Sequence, residues 1–124
     1  MKIKIASELV ISSESNGTMK TYMLADNVST SGAKSASVYV LVHSADADTD
    51  IDIVYRHTAQ PPNFIAGSAA LYSGTAVSPG MDVSSSTTDV TRFDAMQLGV
   101  DIQQGTPATT VNAIISVWLI LEPF

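Results

Sequence analysis

The chain has 124 residues, of which 45% are apolar, with twelve acidic side chains against six basic ones and no cysteine. Such a length fits one domain spanning residues 1–124 with its own core, and the missing thiols exclude a disulfide framework and cysteine-built zinc sites. A net charge of −6 with a pI near 4.5 sets the surface against phosphate backbones and anionic bilayers, so neither nucleic acid nor membrane is an expected partner.

The opening "KIKI" alternates, with Ile3 and Ile5 opposite Lys2 and Lys4, and "ELVI" continues or restarts the strand. Asn16-Gly17 is a hairpin signal. It leads into "TMKTYML", where Met19, Thr21 and Met23 oppose Lys20, Tyr22 and Leu24. "ADNVSTSGAKS" reads as a loop. "SVYVLVH" is apolar on both faces and belongs at the centre of a sheet. A hairpin turn over Asp46–Thr49 then returns the chain into "DIDIVYR", with Ile51, Ile53 and Tyr55 inward and Asp50, Asp52 and Arg56 outward.

Pro61 and Pro62 must leave the sheet, because they cannot donate ladder hydrogen bonds. Residues 64–77 hold either a short strand around Ala69–Tyr72 or a brief helix. Short strands are expected near Met81–Val83 and Asp89–Arg92. In "AMQLGVDIQ", Met96, Leu98, Val100 and Ile102 oppose Gln97, Gly99, Asp101 and Gln103. "QGTPATT" reads as a hairpin loop before the closing strand "VNAIISVWLIL". About eight short strands without a 3.6-residue period predict an all-β chain, an antiparallel β-sandwich of jelly-roll type. A barrel is the next candidate.

No apolar run near the N-terminus matches a secretory signal. The longest apolar run, "AIISVWLILEPF", has about ten apolar residues where a bilayer span needs ~20. The expectation is a protein that is not exported.

The densest chemistry lies in "HSADADTDIDIVYRH". Asp46, Asp48 and Asp50 imitate the start of a calcium loop, but that loop needs Gly at its sixth position and Glu at its twelfth. Here Ile51 and His57 stand there, so a solvated turn is the favoured reading and weak calcium binding the alternative. His43 and His57 would sit about 20 Å apart at opposite ends of the hairpin, too far to share a metal or a proton. No G-x-S-x-G elbow, phosphate-cradling glycine loop or glutamate pair suited to glycoside hydrolysis is present. No catalytic set, cofactor or metal is assigned, and the chain is read as a non-enzyme.

The final strand is the informative one. Val117, Leu119 and Leu121 lie on one face, and Ile114, Trp118 and Ile120 on the other. A sandwich strand needs only one dry face. The second face is covered either by the same domain or by another subunit, with Trp118 a natural anchor. Ile114, Trp118, Ile120 and Phe124 are therefore the candidate interface.

The layout of "SVYVLVHSADADTDIDIVYRH" and "TRFDAMQLGVDIQQGTPATTVNAIISVWLIL" resembles small tailed-phage virion proteins of the head-decoration or cement type. The likeness covers about two-thirds of the chain and is one of pattern. "TAQPPNF" stands where a tryptophan is often found. The resemblance implies a jelly-roll or Ig-like sandwich that docks without catalysis on a shell of major capsid protein. It further implies a trimer or dimer, part of a virion assembled in the host cytoplasm. The rival reading is a carbohydrate-binding β-sandwich module, which requires two or three of Tyr22, Tyr39, Tyr55 and Tyr72 to converge on one platform.

Overall fold

The alternation in the sequence is realised as strand throughout a computed structural model, which describes residues 1–58, 64 and 69–124. The strands are β1 (Lys2–Ser12), β2 (Lys20–Ser29), β3 (Ala33–Ala45), β4 (Thr49–Thr58), β5 (Ala69–Gly74), β6 (Asp82–Ser84), β7 (Thr88–Asp89), β8 (Ala95–Gln104) and β9 (Asn112–Pro123). They form two antiparallel sheets. The first runs β1-β9-β3-β6, with β7 also on β3, and the second runs β2-β8-β4-β5. Because β6 pairs with Tyr39–Leu41 and β7 with Ser35–Ala36, the two form one interrupted edge, leaving eight strand tracks. Only the β4–β5 and β6–β7 connections stay within a sheet. The others cross between layers, which is the double Greek-key winding of a jelly roll.

This winding corrects three expectations. Residues 13–19, 46–48 and 105–111 are not hairpin loops, since each joins strands of opposite sheets. The local turn chemistry at Asn16-Gly17 holds: Glu14 accepts from Gly17 N–H at 2.8 Å and donates to the Thr18 carbonyl at 3.0 Å. The strands on either side diverge because their dry faces must meet across one core, which places them in opposite layers. Two strand limits also differ. Residues 25–29, expected as loop, extend β2, because bulges near Ala25 let the strand follow β8 as far as Ala95. The strand expected over Asp89–Arg92 ends at Asp89, whose carboxylate caps a turn by accepting from Thr91 N–H at 2.9 Å. Of the ambiguous segment, Ala69–Gly74 is strand. The Pro61–Pro62 exit lies outside the described residues.

The core fills the space between the layers. Val38, Val40, Val42, Ile115, Val117 and Leu119 from the first sheet meet Ile51, Ile53, Met96, Leu98, Val100 and Ile102 from the second, all but sealed from solvent. Burying side chains of this size stabilises by about 1.5–3 kcal/mol each before conformational entropy is charged. Buried hydroxyls are matched: Thr30 donates to the Phe93 carbonyl, Thr49 to that of Asp46, and Ser13 accepts from Val111 N–H. Among the described residues no buried side-chain nitrogen or oxygen lacks a partner.

Every sheet edge is irregular. β1 and β2 each carry two register shifts, the β4–β5 pairing carries one between Ile53 and Val54, and the fourth edge is the broken β6–β7 track.

Candidate functional site

With the inner faces committed to the core, the outer faces and the loops remain available. On the first sheet, register places Lys4, Trp118, Tyr39 and Ser84 in one row, with Lys2, Ile120 and Ser37 in the next. Trp118 is half-buried and meets Tyr39 edge-on, with ring centroids 5.3 Å apart. Lys4 Nζ lies 5.1 Å and Lys2 Nζ 5.4 Å from the Trp118 ring, within the range of cation–π attraction. The Tyr39 hydroxyl bonds Asp82, which pushes the phenol above its ordinary pKa. Ile114 and Ile120 share this face and are likewise half-buried. Phe124 does not join them. It follows the end of β9, 79% exposed, with its N–H toward the Gly32 carbonyl at 3.4 Å.

The same face holds a pairing that the sequence did not reveal. His43 Nε2 lies 2.8 Å from Ser116 Oγ, which also accepts from Glu8 N–H at 3.0 Å. Serine and histidine at this distance are the first half of an activated nucleophile. Ser116 is only 2% exposed, however, so its oxygen cannot reach a substrate carbonyl. The contact instead anchors the β1 bulge, where Glu8 takes a left-handed φ of 47°. His57 sits on the other sheet, stacked on Phe93 at 3.9 Å.

Asp46, Asp48 and Asp50 do not converge; each fastens a different segment. Asp46 accepts from the backbone and side-chain nitrogens of Asn112 at 2.7 and 3.2 Å, Asp48 from Thr106 N–H at 3.1 Å, and Asp50 from Ala76 N–H at 2.9 Å. They are neither a calcium cradle nor a merely solvated turn. Among the described residues no group of three or more metal-ligating side chains is placed to hold an ion. Gly17 completes the looped end: its φ is 81°, and a Cβ there would lie 2.6 Å from the Thr109 carbonyl.

The outer face of the second sheet is different in kind. Thr21, Asp101, Asp52 and Ser73 form one row, Met23, Gly99 and Val54 the next, and Gln97 pairs with Arg56 beyond. Because Gly99 presents no side chain between Met23 and Val54, an open trough of about 330 Å3 lies here. Burial raises the Asp52 pKa, helped by the Asp101 and Asp50 carboxylates and opposed by a hydrogen bond from Ser73. A glycine inside a strand is a recognised signal of bare backbone, so the trough had a trace in the sequence. The Asp52–Asp101 pairing had none, because it depends on register.

The four tyrosines do not gather at one place, although Tyr22 and Tyr55 both border the trough. Tyr39 is on the first sheet beside Trp118, the Tyr22 hydroxyl reaches back to Ser12, Tyr55 packs by His57 and Phe93, and Tyr72 is buried with its hydroxyl on Met81.

No family model and no curated protein matches the chain. Solved structures do. VP2 of infectious bursal disease virus is similar in a subviral particle, with a TM-score of 0.65 and 13% identity over 99% of this chain and 32% of that one. In the T=1 particles of its D431N mutant the values are 0.66, 11%, 99% and 31%. TmCBM61, solved with β-1,4-galactotriose, gives a TM-score of 0.53 at 13% identity, over 91% of this chain and 69% of that one. The chain spans about a third of the length of the VP2 chains it matches. At these identities the likeness establishes the fold alone: this chain is an antiparallel β-sandwich of jelly-roll winding, similar to part of VP2 of infectious bursal disease virus.

Proposed function

We propose that the chain is a non-enzymatic structural component of a virion. In this reading it decorates or cements the shell by self-associating and docking on the major capsid protein. The observation that carries this reading is the outer face of the first sheet, where Trp118, Ile114 and Ile120 stand half-buried. Removing an apolar patch from water is worth about 25 cal/mol per Å2, and many linked copies multiply a small gain. Trp118 is the anchor because a large ring already oriented by Tyr39 loses little freedom on docking. The jelly-roll fold shared with VP2, a protein solved in viral particles, supports the assignment. Ile114, Trp118 and Ile120 form the contact, and Phe124 reaches it only from the adjoining strand end.

Native mass spectrometry tests the reading. The expected result is a dimer or trimer that Trp118→Ala converts to monomer while the far-ultraviolet circular dichroism is unchanged. A chain that stays monomeric at the highest attainable concentration and fails to sediment with capsids overturns it.

A further inference from the structure

We propose that the trough on the outer face of the second sheet binds a neutral oligosaccharide. This site lies on the opposite side of the sandwich from Trp118 and does not rest on the virion assignment. The trough is floored by the Gly99 backbone and walled by Met23 and Val54, an apolar strip that suits the C–H face of a sugar ring. Its two ends are polar and opposite in character. At one end Asp101 accepts and is held by Thr21 at 2.5 Å; at the other Arg56 donates beside Gln97, which is held by Asp26 at 3.2 Å. Asp101 lies four residue steps along β8 from Gln97, about 13 Å at ~3.3 Å per step. That span exceeds a single ring and suits an oligomer, and the volume is at the lower end for ligand sites.

Other ligand classes fit less well. An anion would meet Asp26, Asp52 and Asp101, whereas among the described residues that line the trough Arg56 is the single cation. A purely apolar ligand would strip water from carboxylates and leave them unpaired. A peptide strand finds no free backbone on the trough floor, because β8 is hydrogen-bonded to β2 and β4 on both sides, and the outer edge of β2 is broken by two register shifts. Hydroxyls both donate and accept, so one chain of them satisfies both ends. Tyr22 and Tyr55 also border the trough, beside the apolar strip and the two polar ends.

The test is an amide-resolved NMR titration of the whole chain. The probes are β-1,4-galactotriose and the trisaccharides of glucose, mannose and N-acetylglucosamine, with trilysine as the competitor. The expected result is that at least one trisaccharide shifts the amides of Met23, Val54, Gln97 and Gly99. Asp101→Ala and Arg56→Ala should each weaken binding about tenfold, the loss of one charge-assisted hydrogen bond. Gly99→Val should abolish binding by filling the trough. If Gly99→Val does not fold, because its Cβ would lie 3.1 Å from the Tyr22 carbonyl, the other two substitutions decide. Silence with all four trisaccharides, shifts confined to other surfaces, or tighter binding of trilysine overturns the proposal.

Discussion

The two outer faces are built on the same scaffold and yet differ in almost every respect. On the first sheet, aromatic and aliphatic side chains stand proud beneath two lysines, so the surface is raised, apolar and cationic at its β1 margin. On the second, a missing side chain at Gly99 hollows the middle, and carboxylates from β4 and β8 stand directly opposite one another. Like charges in direct cross-strand register are destabilising, and a tryptophan on an outer face lies apart from the core between the sheets. Neither feature is explained by the need to fold. The inner faces of a sandwich are fixed by mutual packing, so it is the outer faces that record what the molecule meets.

The sharpest way to break this contrast is to compare neighbours on β9. Leu119→Ala removes a side chain wholly inside the core and should cost about 2–5 kcal/mol. Ile120→Ala, one residue on, should cost the isolated chain less than about 1 kcal/mol while weakening self-association. Urea unfolding at low protein concentration separates the two. Equal losses would mean that the outer face is part of the core.

The contrast also requires that the sheets be held in fixed relation, and the looped end does this. Gly17→Ala imposes a side chain on a left-handed backbone and drives it into the Thr109 carbonyl. A loss of about 2 kcal/mol is expected by chemical denaturation. A neutral outcome would show that the loops adjust independently.

The smallest effect concerns Asp52. Its pKa in the fold is raised above the unfolded value, first by burial and then by Asp101 and Asp50. The folded state therefore holds this proton more tightly than the unfolded chain does. The ionised carboxylate costs stability at neutral pH, and the cost fades as pH falls below the unfolded carboxylate range. Asp52→Asn should stabilise the fold at pH 7 by less than about 1 kcal/mol, since the group is only partly buried and solvent screens its neighbours. Near about pH 3 the difference should vanish. A variant less stable at pH 7 would mean that the hydrogen bond from Ser73 outweighs the crowding.

Much of the architecture was legible because period-two alternation reports directly on which side of a strand faces the core. Ile51 and Ile53, Met96 through Ile102, and both faces of β9 fall where their pattern puts them. Layer assignment was not legible. Asn16-Gly17 and Asp46–Thr49 specify tight turns, and a tight turn is equally compatible with a hairpin and with a crossing between sheets. The site was legible only in part. Ile114, Trp118 and Ile120 are adjacent on one face by periodicity alone. The lysine caps, the Ser116–His43 contact and the Asp52–Asp101 row all join residues distant in sequence, and pairing register creates them.

The kinks along all four margins of the two sheets bear on how the molecule behaves when crowded. An unbroken margin offers a ladder of free amides and carbonyls on which another chain can add, the route to fibres. Here each ladder is interrupted after a few rungs, so stacking strand on strand cannot propagate. Any order that copies adopt is then left to contacts between side chains rather than to backbone pairing.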